Sequence, residues 1–192
     1  MKLLRPFQTD DFYCEHLFES AENLQAIQQF DVTQQSGKGL ENYLKYMASD
    51  EEESSSARTY VVKSKDTGEI AAYFTLKAGL FTVGDEAGDY FYTIPAAELA
   101  NFAVNSTFRN THPQIDKIGK KVFSDFILPL VDSVRELLGI QAIYIYALPY
   151  ERLLEHYASL GFHRLAPEKE KFVHQHVKPK YDDGCIFMYQ TL

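Results

Sequence analysis

The hydrophobic and polar residues follow a helical spacing near the N-terminus. Apolar side chains recur every three or four residues up to Ile27, after Thr9, a candidate helix N-cap that is followed by acidic residues. A second run, 40–47, has apolar residues at i, i+3, i+4 and i+7 directly after Gly39. The pattern predicts two N-terminal helices, with residues 3–7 as a short edge strand before them.

The spacing changes in the middle of the chain. Residues 50–56 (DEEESSS) are polar throughout and predict a solvated loop without a chemical role. Residues 59–65 and 69–79 are rich in β-formers and flank a KDTG turn. They predict a β-hairpin, in which Gly68 supplies the permissive backbone of the turn.

Strand and helix patterns alternate in the C-terminal half. A helix with an apolar stripe is predicted from about Lys117, and Pro129 should kink or interrupt it because proline removes a main-chain donor. The elements predicted here are a loop at 82–90, a strand at 98–104 (ELANFAV), the long helix, a buried strand at 142–148, a helix at 150–161 ended by Gly161, a strand from FHRL, a loop or lid at 166–183 and a strand from CIFMYQTL. This order predicts an α/β or α+β fold with a mixed sheet.

Composition narrows the class of protein. The chain has 192 residues, an aromatic content of 14% and a formal net charge of −8, which predicts one packed domain with an acidic surface that disfavours broad nucleic-acid binding. Cys14 and Cys185 have neither disulfide nor metal-ligand spacing and are predicted to be buried. No stretch has the pattern of a signal peptide or a membrane span, so a cytoplasmic protein without a membrane partner is expected.

Two segments carry candidate chemistry. QIDKIGKKVF (114–123) places Gly119 among three lysines at a predicted helix start, where unpaired N–H groups and the helix dipole favour phosphate. The alternative for this segment is an ordinary helix with a solvated basic face. HYASLGF (156–162) places Tyr157 one turn before a helix-ending glycine, and the alternative is a core aromatic residue.

These segments, taken in their order, resemble the GNAT acetyltransferase superfamily. ELANFAV is similar to its fourth strand, QIDKIG to its pyrophosphate loop, written Q/R-x-x-G-x-G/A, and HYASLGF to its closing FYEKLGF signature. Residues 30–48 and 58–76 are similar to the branch that contains the aminoacyl-tRNA-acetylating toxins. The resemblance implies a GNAT-like mixed, mostly antiparallel twisted sheet flanked by helices. It also implies a single domain over 1–192, with N-terminal helices in 1–57 and the cofactor-binding sheet in 58–192.

The pyrophosphate loop departs from the family pattern. Gln114 fits its first position and Gly119 its last, but Lys117 stands where the first glycine belongs. The segment before the loop, NSTFRNTHP, is also longer than usual. A count without this insertion would put Arg109 first but leaves no glycine downstream. The loop must therefore either reshape around the pyrophosphate or bind it poorly.

The resemblance implies transfer of an acetyl group from acetyl-coenzyme A directly to an amine. Glu98, the acid of ELANFAV, is the implied general base, and an ordinary strand-end glutamate is the alternative. Tyr157 matches the family tyrosine that protonates the leaving thiolate. The main-chain N–H groups of Phe102–Val104 would polarise the thioester carbonyl. The residues implied to bind the cofactor are Phe102, Ala103, Val104, Gln114, Ile115, Asp116, Lys117, Ile118, Gly119 and Lys120.

No metal site is predicted, because His174 and His176 lack a third ligand nearby. Three functions stay open: an N-acetyltransferase acting on a small amine or an amino-terminal group, a toxin-like enzyme that acetylates aminoacyl-tRNA, and a degenerate domain that binds coenzyme A weakly or binds a partner protein. The net charge counts against tRNA without excluding it. A homodimer is left open, and the acceptor depends on loops such as 80–97 and 166–183.

Overall fold

The computed structural model describes residues 8–84, 91–176 and 184–192. Within them the strands are β1 (Phe12–His16), β2 (Arg58–Ser64), β3 (Ile70–Gly84), β4 (Phe91–Val104), β5 (Ala142–Ala147), β6 (His163–Arg164) and β7 (Ile186–Thr191). The α-helices are α1 (Ala21–Ala26), α2 (Lys38–Tyr46), α3 (Ala48–Glu53), α4 (Ser106–Thr111), α5 (Ile118–Val122), α6 (Leu128–Leu138), α7 (Glu151–Ser159) and α8 (Pro167–His176). Short 3-10 helices cover Leu17–Glu19, Ile27–Gln29 and Gln35–Gly37, and a π-helix covers Phe123–Ile127.

The strands form one sheet in the order β1-β2-β3-β4-β5-β7-β6. Pairing is antiparallel for β1–β2, β2–β3, β5–β7 and β6–β7, and parallel for β4–β5. The predicted mixed, mostly antiparallel α+β fold is thereby confirmed. The chain divides into two compact units, Met1–Lys77 with Asn101–Leu130, and Ala78–Ala100 with Val131–Leu192. The single domain with a boundary after residue 57 stays a prediction.

The first unit begins with a strand where a helix was predicted. Thr9 does not cap a helix: its hydroxyl accepts the N–H of Phe12 at 3.1 Å in a turn that leads into β1. Phe12 and Cys14 are both buried, which is the alternation of a half-buried strand. The helix begins only after Ser20, whose hydroxyl accepts the N–H of Glu22 as the N-cap of α1. The edge strand predicted at 3–7 lies outside the described residues.

The second predicted helix is confirmed as α2, and its apolar face forms much of this unit's core. Tyr43 and Leu44 are buried, and Tyr73 of β3 lies fully buried in the same cluster. Burying one such side chain stabilises a fold by about 1.5–3 kcal/mol. The Tyr73 hydroxyl donates to the main-chain oxygen of Leu40 at 2.6 Å, so this buried polar atom is satisfied.

The predicted β-hairpin is also confirmed, as β2 and β3. The turn places Gly68 at φ +72°, a conformation that L-residues rarely adopt. The Ser64 hydroxyl accepts the N–H groups of Asp66 and Thr67 and fixes the turn. Two elements are longer than predicted, since β3 runs on to Gly84 and β4 already begins at Phe91. Of the loop predicted at 82–90, residues 85–90 lie outside the described residues.

The acidic part of DEEESSS belongs to α3 and contains one buried carboxylate, so the prediction of a solvated loop is wrong for residues 50–53, while residues 54–56 are exposed and follow the helix. Glu52 of α3 keeps only 1% of its side chain exposed. Its carboxylate accepts the main-chain N–H of Thr59, and it lies 3.1 Å from Nη1 of Arg58 and 2.9 Å from Nε2 of His16. Buried carboxylates persist only when such donors replace water. The segment therefore joins α3 to the first two strands.

The long helix predicted from Lys117 is interrupted next to its proline. The Leu128 N–H donates to the oxygen of Phe123, five residues back, and this wider spacing defines the π-helix between α5 and α6. Pro129 follows directly and has no N–H to donate. The prediction that Pro129 would kink or interrupt the helix is confirmed as an interruption of its α-helical hydrogen bonding.

The second unit contains the predicted buried strand as β5. Its core joins aromatic side chains of β3, β5 and β7, with Phe81, Tyr144 and Phe187 almost fully buried. The segment 166–183 is not a loop throughout, because 167–176 form α8 and 177–183 lie outside the described residues. Glu170 connects α8 to the strands beside it: its buried carboxylate accepts the N–H of Phe187 at 3.2 Å and lies 3.0 Å from Nη2 of Arg164.

The remaining expectations from composition concern thiols, metals and membranes. Cys14 and Cys185 are buried, as predicted, and burial raises the pKa of the Cys14 thiol far above its usual range. His174 and His176 lie on α8, where residues two apart point to different sides. The described residues contain no cluster of three or more metal-ligating side chains. None of the described helices combines the length and hydropathy required to span a bilayer.

The buried carboxylate of Glu52 makes a testable contribution to stability. Replacing it in Glu52→Ala leaves the Thr59 N–H and the Arg58 guanidinium without this acceptor, so we expect the free energy of unfolding to fall by about 3 kcal/mol. The matched control is Glu53→Ala, at an exposed position of the same helix, which should change it by less than about 0.5 kcal/mol. Urea denaturation of both variants measures the difference, and equal losses would contradict this role of Glu52.

Candidate active site

The parallel pairing of β4 and β5 is short. Among the described residues it runs from Ala96↔Ala142 to Glu98↔Tyr144. β4 continues beyond this ladder to Val104, and β5 continues to Ala147. The main chain of Phe102–Val104 therefore lies beyond the point where β4 and β5 pair.

Glu98 lies at the last pair of the ladder and contacts a tyrosine. The Tyr144 hydroxyl donates to Oε2 of Glu98 at 3.1 Å. The carboxylate is half-buried and also acts on Tyr146, where burial, assisted by the negative charge of Glu98, raises the phenol pKa above its usual range. The candidate base is therefore held at the edge of an aromatic cluster and is not a solvated strand-end glutamate.

The end of β4 is tied to the hairpin by Asn105. Its main-chain N–H donates to the oxygen of Ala71, and its side-chain amide donates to the oxygen of Ile70, both at 2.8 Å. Its side-chain oxygen accepts the N–H groups of Thr107 and Phe108 and thereby caps α4. One buried residue thus ends the strand and begins the helix that follows.

The long segment after β4, NSTFRNTHP, is largely helical. Ser106 and Phe108 of α4 are buried, and the Ser106 hydroxyl accepts the N–H of Thr33 at 3.0 Å. Arg109 lies inside α4, so the alternative count that placed it at the start of the pyrophosphate loop does not fit a loop conformation. The segment that begins at Gln114 remains, and it forms the turn directly before α5.

Lys117 adopts a backbone conformation that ordinarily favours glycine. It has φ +52° and ψ +40°, in the left-handed region, and it is the N-cap residue of α5. Ser55, the other non-glycine residue with positive φ in the described part of the chain, follows α3, where helices commonly end in this conformation. Lys117 instead precedes a helix, and the left-handed conformation there costs a non-glycine residue about 1–2 kcal/mol.

The lysines around the loop differ in their surroundings. Lys117 and Lys120 are exposed. Lys121 is engaged, because its ammonium lies 2.8 Å from the carboxylate of Asp11. The carboxylate of Asp116 accepts the main-chain N–H of Lys117 at 2.8 Å. The ammonium of Lys117 lies 3.9 Å from the carboxylate of Asp116 in a highly exposed pair, so Lys117 and Lys120 are more accessible to a phosphate than Lys121 is.

Tyr157 lies on α7 in an apolar setting. Its ring is half-buried and meets the ring of Phe162 edge-on, with 5.7 Å between the centroids. Burial raises the pKa of Tyr157 to about 12 and lowers that of His156 beside it. Both side chains are therefore neutral at pH 7, and Tyr157 can donate a proton but not accept one. Gly161 has φ +98° and follows the end of α7 as predicted.

The predicted site residues fall in separate parts of the fold. Glu98 and Tyr157 belong to the second unit, and Phe102–Val104 and the loop 114–120 belong to the first. The sequence did not reveal the partner of Glu98, because contact with Tyr144 depends on the register of β4 against β5. The capping role of Asn105 could have been recognised, since Asn directly before Ser-Thr is a common helix-start signal.

The fold is shared with solved structures, although no protein-family model matches the sequence and no curated protein is similar enough to match it. A tyrosine-to-phenylalanine mutant of KacT has a TM-score of 0.67 at 16% identity, over 95% of each chain. A tyrosine-to-phenylalanine mutant of the AtaT toxin has a TM-score of 0.65 at 19% identity, over 97% of this chain and 94% of that one. AtaT complexed with acetyl-methionyl-tRNAfMet has a TM-score of 0.63 at 18% identity, over 92% and 94%.

The chain has the GNAT fold. The quoted segments occupy the elements that this fold predicts for them: ELANFAV lies at the end of β4, QIDKIG in the turn before α5, and HYASLGF runs from α7 to the residue before β6. The coverage extends to the N-terminal helices, so the likeness in fold includes the upstream segments as well as the three quoted motifs.

The left-handed Lys117 predicts an unusual response to glycine. Lys117→Gly removes the steric cost of positive φ but adds freedom to the unfolded chain, so we expect a net gain in unfolding free energy of about 0.5–1 kcal/mol. Lys120→Gly, in the first turn of α5, should instead lose up to about 1 kcal/mol. Thermal and urea unfolding measure the free energy of unfolding of both variants. A lower value for both would show that the Lys117 side chain stabilises the fold by more than its left-handed backbone costs.

Proposed function

We propose that this protein is an N-acetyltransferase that moves an acetyl group from acetyl-coenzyme A to a primary amine. The observation that carries the proposal is Lys117, which keeps a glycine-like backbone in the turn before α5. A strained residue persists where the surrounding structure requires its conformation, and such residues cluster at ligand sites. Further support comes from the fold, since structures of AtaT with this fold were solved with acetyl-coenzyme A.

The cofactor would be held by main-chain groups and a few charges. The N–H groups at the start of α5, from Ile118 to Lys120, would face its pyrophosphate, because the first turn of a helix has no internal acceptors for them. Lys117 and Lys120 would add positive charge to a chain whose net charge is −8. The main chain of Phe102–Val104 would lie along the pantetheine arm.

The chemistry assigns one task to each of three groups. Acetyl-coenzyme A supplies the acetyl group as a thioester. Glu98 accepts a proton from the acceptor ammonium, which frees the nitrogen lone pair to form the new C–N bond while the C–S bond breaks, and the second proton that the nitrogen loses as the amide forms passes to solvent. N–H groups of Phe102–Val104 donate to the carbonyl oxygen as it gains negative charge. Tyr157 donates its proton to the departing thiolate.

The environment of Tyr157 sets a limit on that last step. A thiol with an ordinary pKa of about 8.5 is a weaker base than a phenolate whose pKa is about 12. Complete proton transfer from Tyr157 to the thiolate is therefore uphill, and more so than for a phenol with an ordinary pKa. We assign Tyr157 a hydrogen bond that stabilises the thiolate as it forms, with the proton transferred late or recovered from solvent.

Removing the hydroxyl of Tyr157 should slow catalysis and spare binding. We expect Tyr157→Phe to lower kcat by about 100-fold, the lower range for loss of a general acid, with little change in the affinity for acetyl-coenzyme A. Tyr150→Phe, at an exposed position just before α7, should retain full activity. Release of coenzyme A thiol in the presence of a panel of amines measures both variants. Full activity of Tyr157→Phe would remove this residue from the mechanism.

Binding of acetyl-coenzyme A separates an enzyme from a degenerate domain. A ligand that binds only the folded state stabilises it by RT ln(1 + [L]/Kd), which is about 2.7 kcal/mol at 100 times Kd. For a chain of this size we expect the melting temperature to rise by roughly 5–10 °C. Absence of any rise at millimolar acetyl-coenzyme A, with a normally folded protein, would contradict the proposal.

Aminoacyl-tRNA is the second candidate acceptor, as in the toxin-like function left open above. Its support is the similarity in fold to AtaT complexed with acetyl-methionyl-tRNAfMet. The α-amine of an aminoacyl ester is a primary amine and suits the same chemistry. The net charge of −8 opposes contact with a phosphate backbone, so binding would depend on local basic groups and would weaken steeply with salt.

A transfer assay with charged tRNA tests this candidate. With radiolabelled acetyl-coenzyme A, we expect label in aminoacyl-tRNA, and loss of that label after mild base hydrolysis of the ester if the acetyl group sits on the amino acid. Uncharged tRNA is the matched control and should remain unlabelled. Labelling of small amines or peptide N-termini with none in charged tRNA would assign the acceptor to the first class.

A further inference from the structure

We propose that Tyr144 is a positioning residue that holds the carboxylate of Glu98, and that Gly79 is the position that makes this contact possible. The contact itself is the 3.1 Å hydrogen bond from the Tyr144 hydroxyl to Oε2 of Glu98. Its catalytic meaning rests on the proposed function, in which Glu98 is the base.

The register brings the two side chains to one face of the sheet. Glu98 and Tyr144 are direct partners in the parallel ladder, and partnered residues of neighbouring strands project to the same side. Since the partnership is the last of this ladder among the described residues, the tyrosine stands where pairing of β4 with β5 ends. A donor at this point fixes the carboxylate next to the stretch of β4 that continues beyond its pairing with β5.

Gly79 determines how far the ring can reach. A Cβ built at this position would overlap the Tyr144 hydroxyl oxygen and would lie 2.9 Å from Cε1 and Cζ of the ring. These separations are shorter than any real Cβ contact, so a side chain at 79 would displace the phenol. β4 lies between β3 and β5 in the sheet, and the ring of Tyr144 therefore extends over β4 to the main chain of β3.

The rest of the ring is held by aromatic neighbours. Its centroid lies 5.9 Å from that of Phe81, 5.6 Å from that of Phe187 and 5.9 Å from that of Tyr146. Tyr144 is 2% exposed. A ring packed on several sides cannot leave its hydrogen bond by a rotamer change without breaking these contacts. The hydroxyl is consequently a fixed donor, with Glu98 as the acceptor.

A fixed phenol donor has a definite effect on a base. A hydrogen bond donated to a carboxylate favours its ionised form over its protonated form, and the ionised form is the one that can accept a proton. The phenols of Tyr144 and Tyr146 are among the titratable groups that the structure describes near this carboxylate, and the pKa of Tyr146 is raised mainly by burial. Tyr146 therefore stays neutral at pH 7 and adds no charge of its own.

The test is the pH dependence of the reaction in Tyr144→Phe, which removes one oxygen atom and keeps the ring. We expect the acidic limb of the kcat/KM profile to move up by about one pH unit, with the KM for acetyl-coenzyme A unchanged. Gly79→Ala should move the limb in the same direction, because it displaces the hydroxyl without removing it. Tyr189→Phe is the matched control: it lies in the same aromatic cluster, as the partner of Tyr144 on β7, and its profile should equal that of the wild type.

The outcomes separate this inference from the proposed function. If Glu98→Gln is inactive while Tyr144→Phe keeps the wild-type profile, the inference is wrong and the proposed base stands. If Glu98→Gln is fully active, the proposed base is wrong. If no amine is acetylated, NMR titration of the ¹³C-labelled Glu98 carboxyl still decides the contact: an upward shift of its titration in Tyr144→Phe supports it, and identical curves overturn it.

Discussion

The short parallel ladder between β4 and β5 is the constraint on which the proposed chemistry depends. Main-chain groups of a strand are consumed when a neighbour pairs with them, so a strand can serve a ligand only where its neighbour has ended or diverged. Here the pairing reaches Glu98↔Tyr144, and β4 continues to Val104. The same ladder fixes the register that puts a phenol beside the candidate base. A stretch of β4 beyond its pairing with β5 and an oriented carboxylate thus follow from where one ladder stops.

The sequence predicted elements well where a single periodicity operated. The hairpin, α2, β5 and the interruption at Pro129 follow from local sequence patterns. It failed at β1, where Thr9 and the acids after it imitate a helix cap but the buried pair Phe12 and Cys14 follows strand alternation. Competition between a local signal and pairing with β2 decided that region, and pairing is not visible in one sequence.

Charge was the least predictable property of this chain. The polar composition of DEEESSS indicates solvent exposure, yet Glu52 is buried because donors from Thr59, Arg58 and His16 surround its carboxylate. Glu170 is similar, since it accepts a main-chain N–H from β7. From the sequence alone, an acidic residue is predicted to be exposed, because burying its charge in apolar surroundings costs free energy. Whether donors converge to offset that cost depends on tertiary structure, which also explains why the Tyr144 partner of Glu98 was missed.

The turn before α5, where we propose that the pyrophosphate binds, has a left-handed lysine at the position of the motif's first glycine. A glycine in the motif provides both room for the ligand and access to positive φ, and the sequence alone could not say which of these Lys117 gives up. The structure separates them: the positive φ is retained at a lysine, with its steric cost, while the side chain is exposed. Retaining a costly backbone conformation without the residue that makes it easy implies that the turn itself is required. The lysine then contributes an exposed ammonium at the place where we propose that an anionic group binds. Compared with a glycine at this position, it lowers the stability of the loop and adds a positive charge.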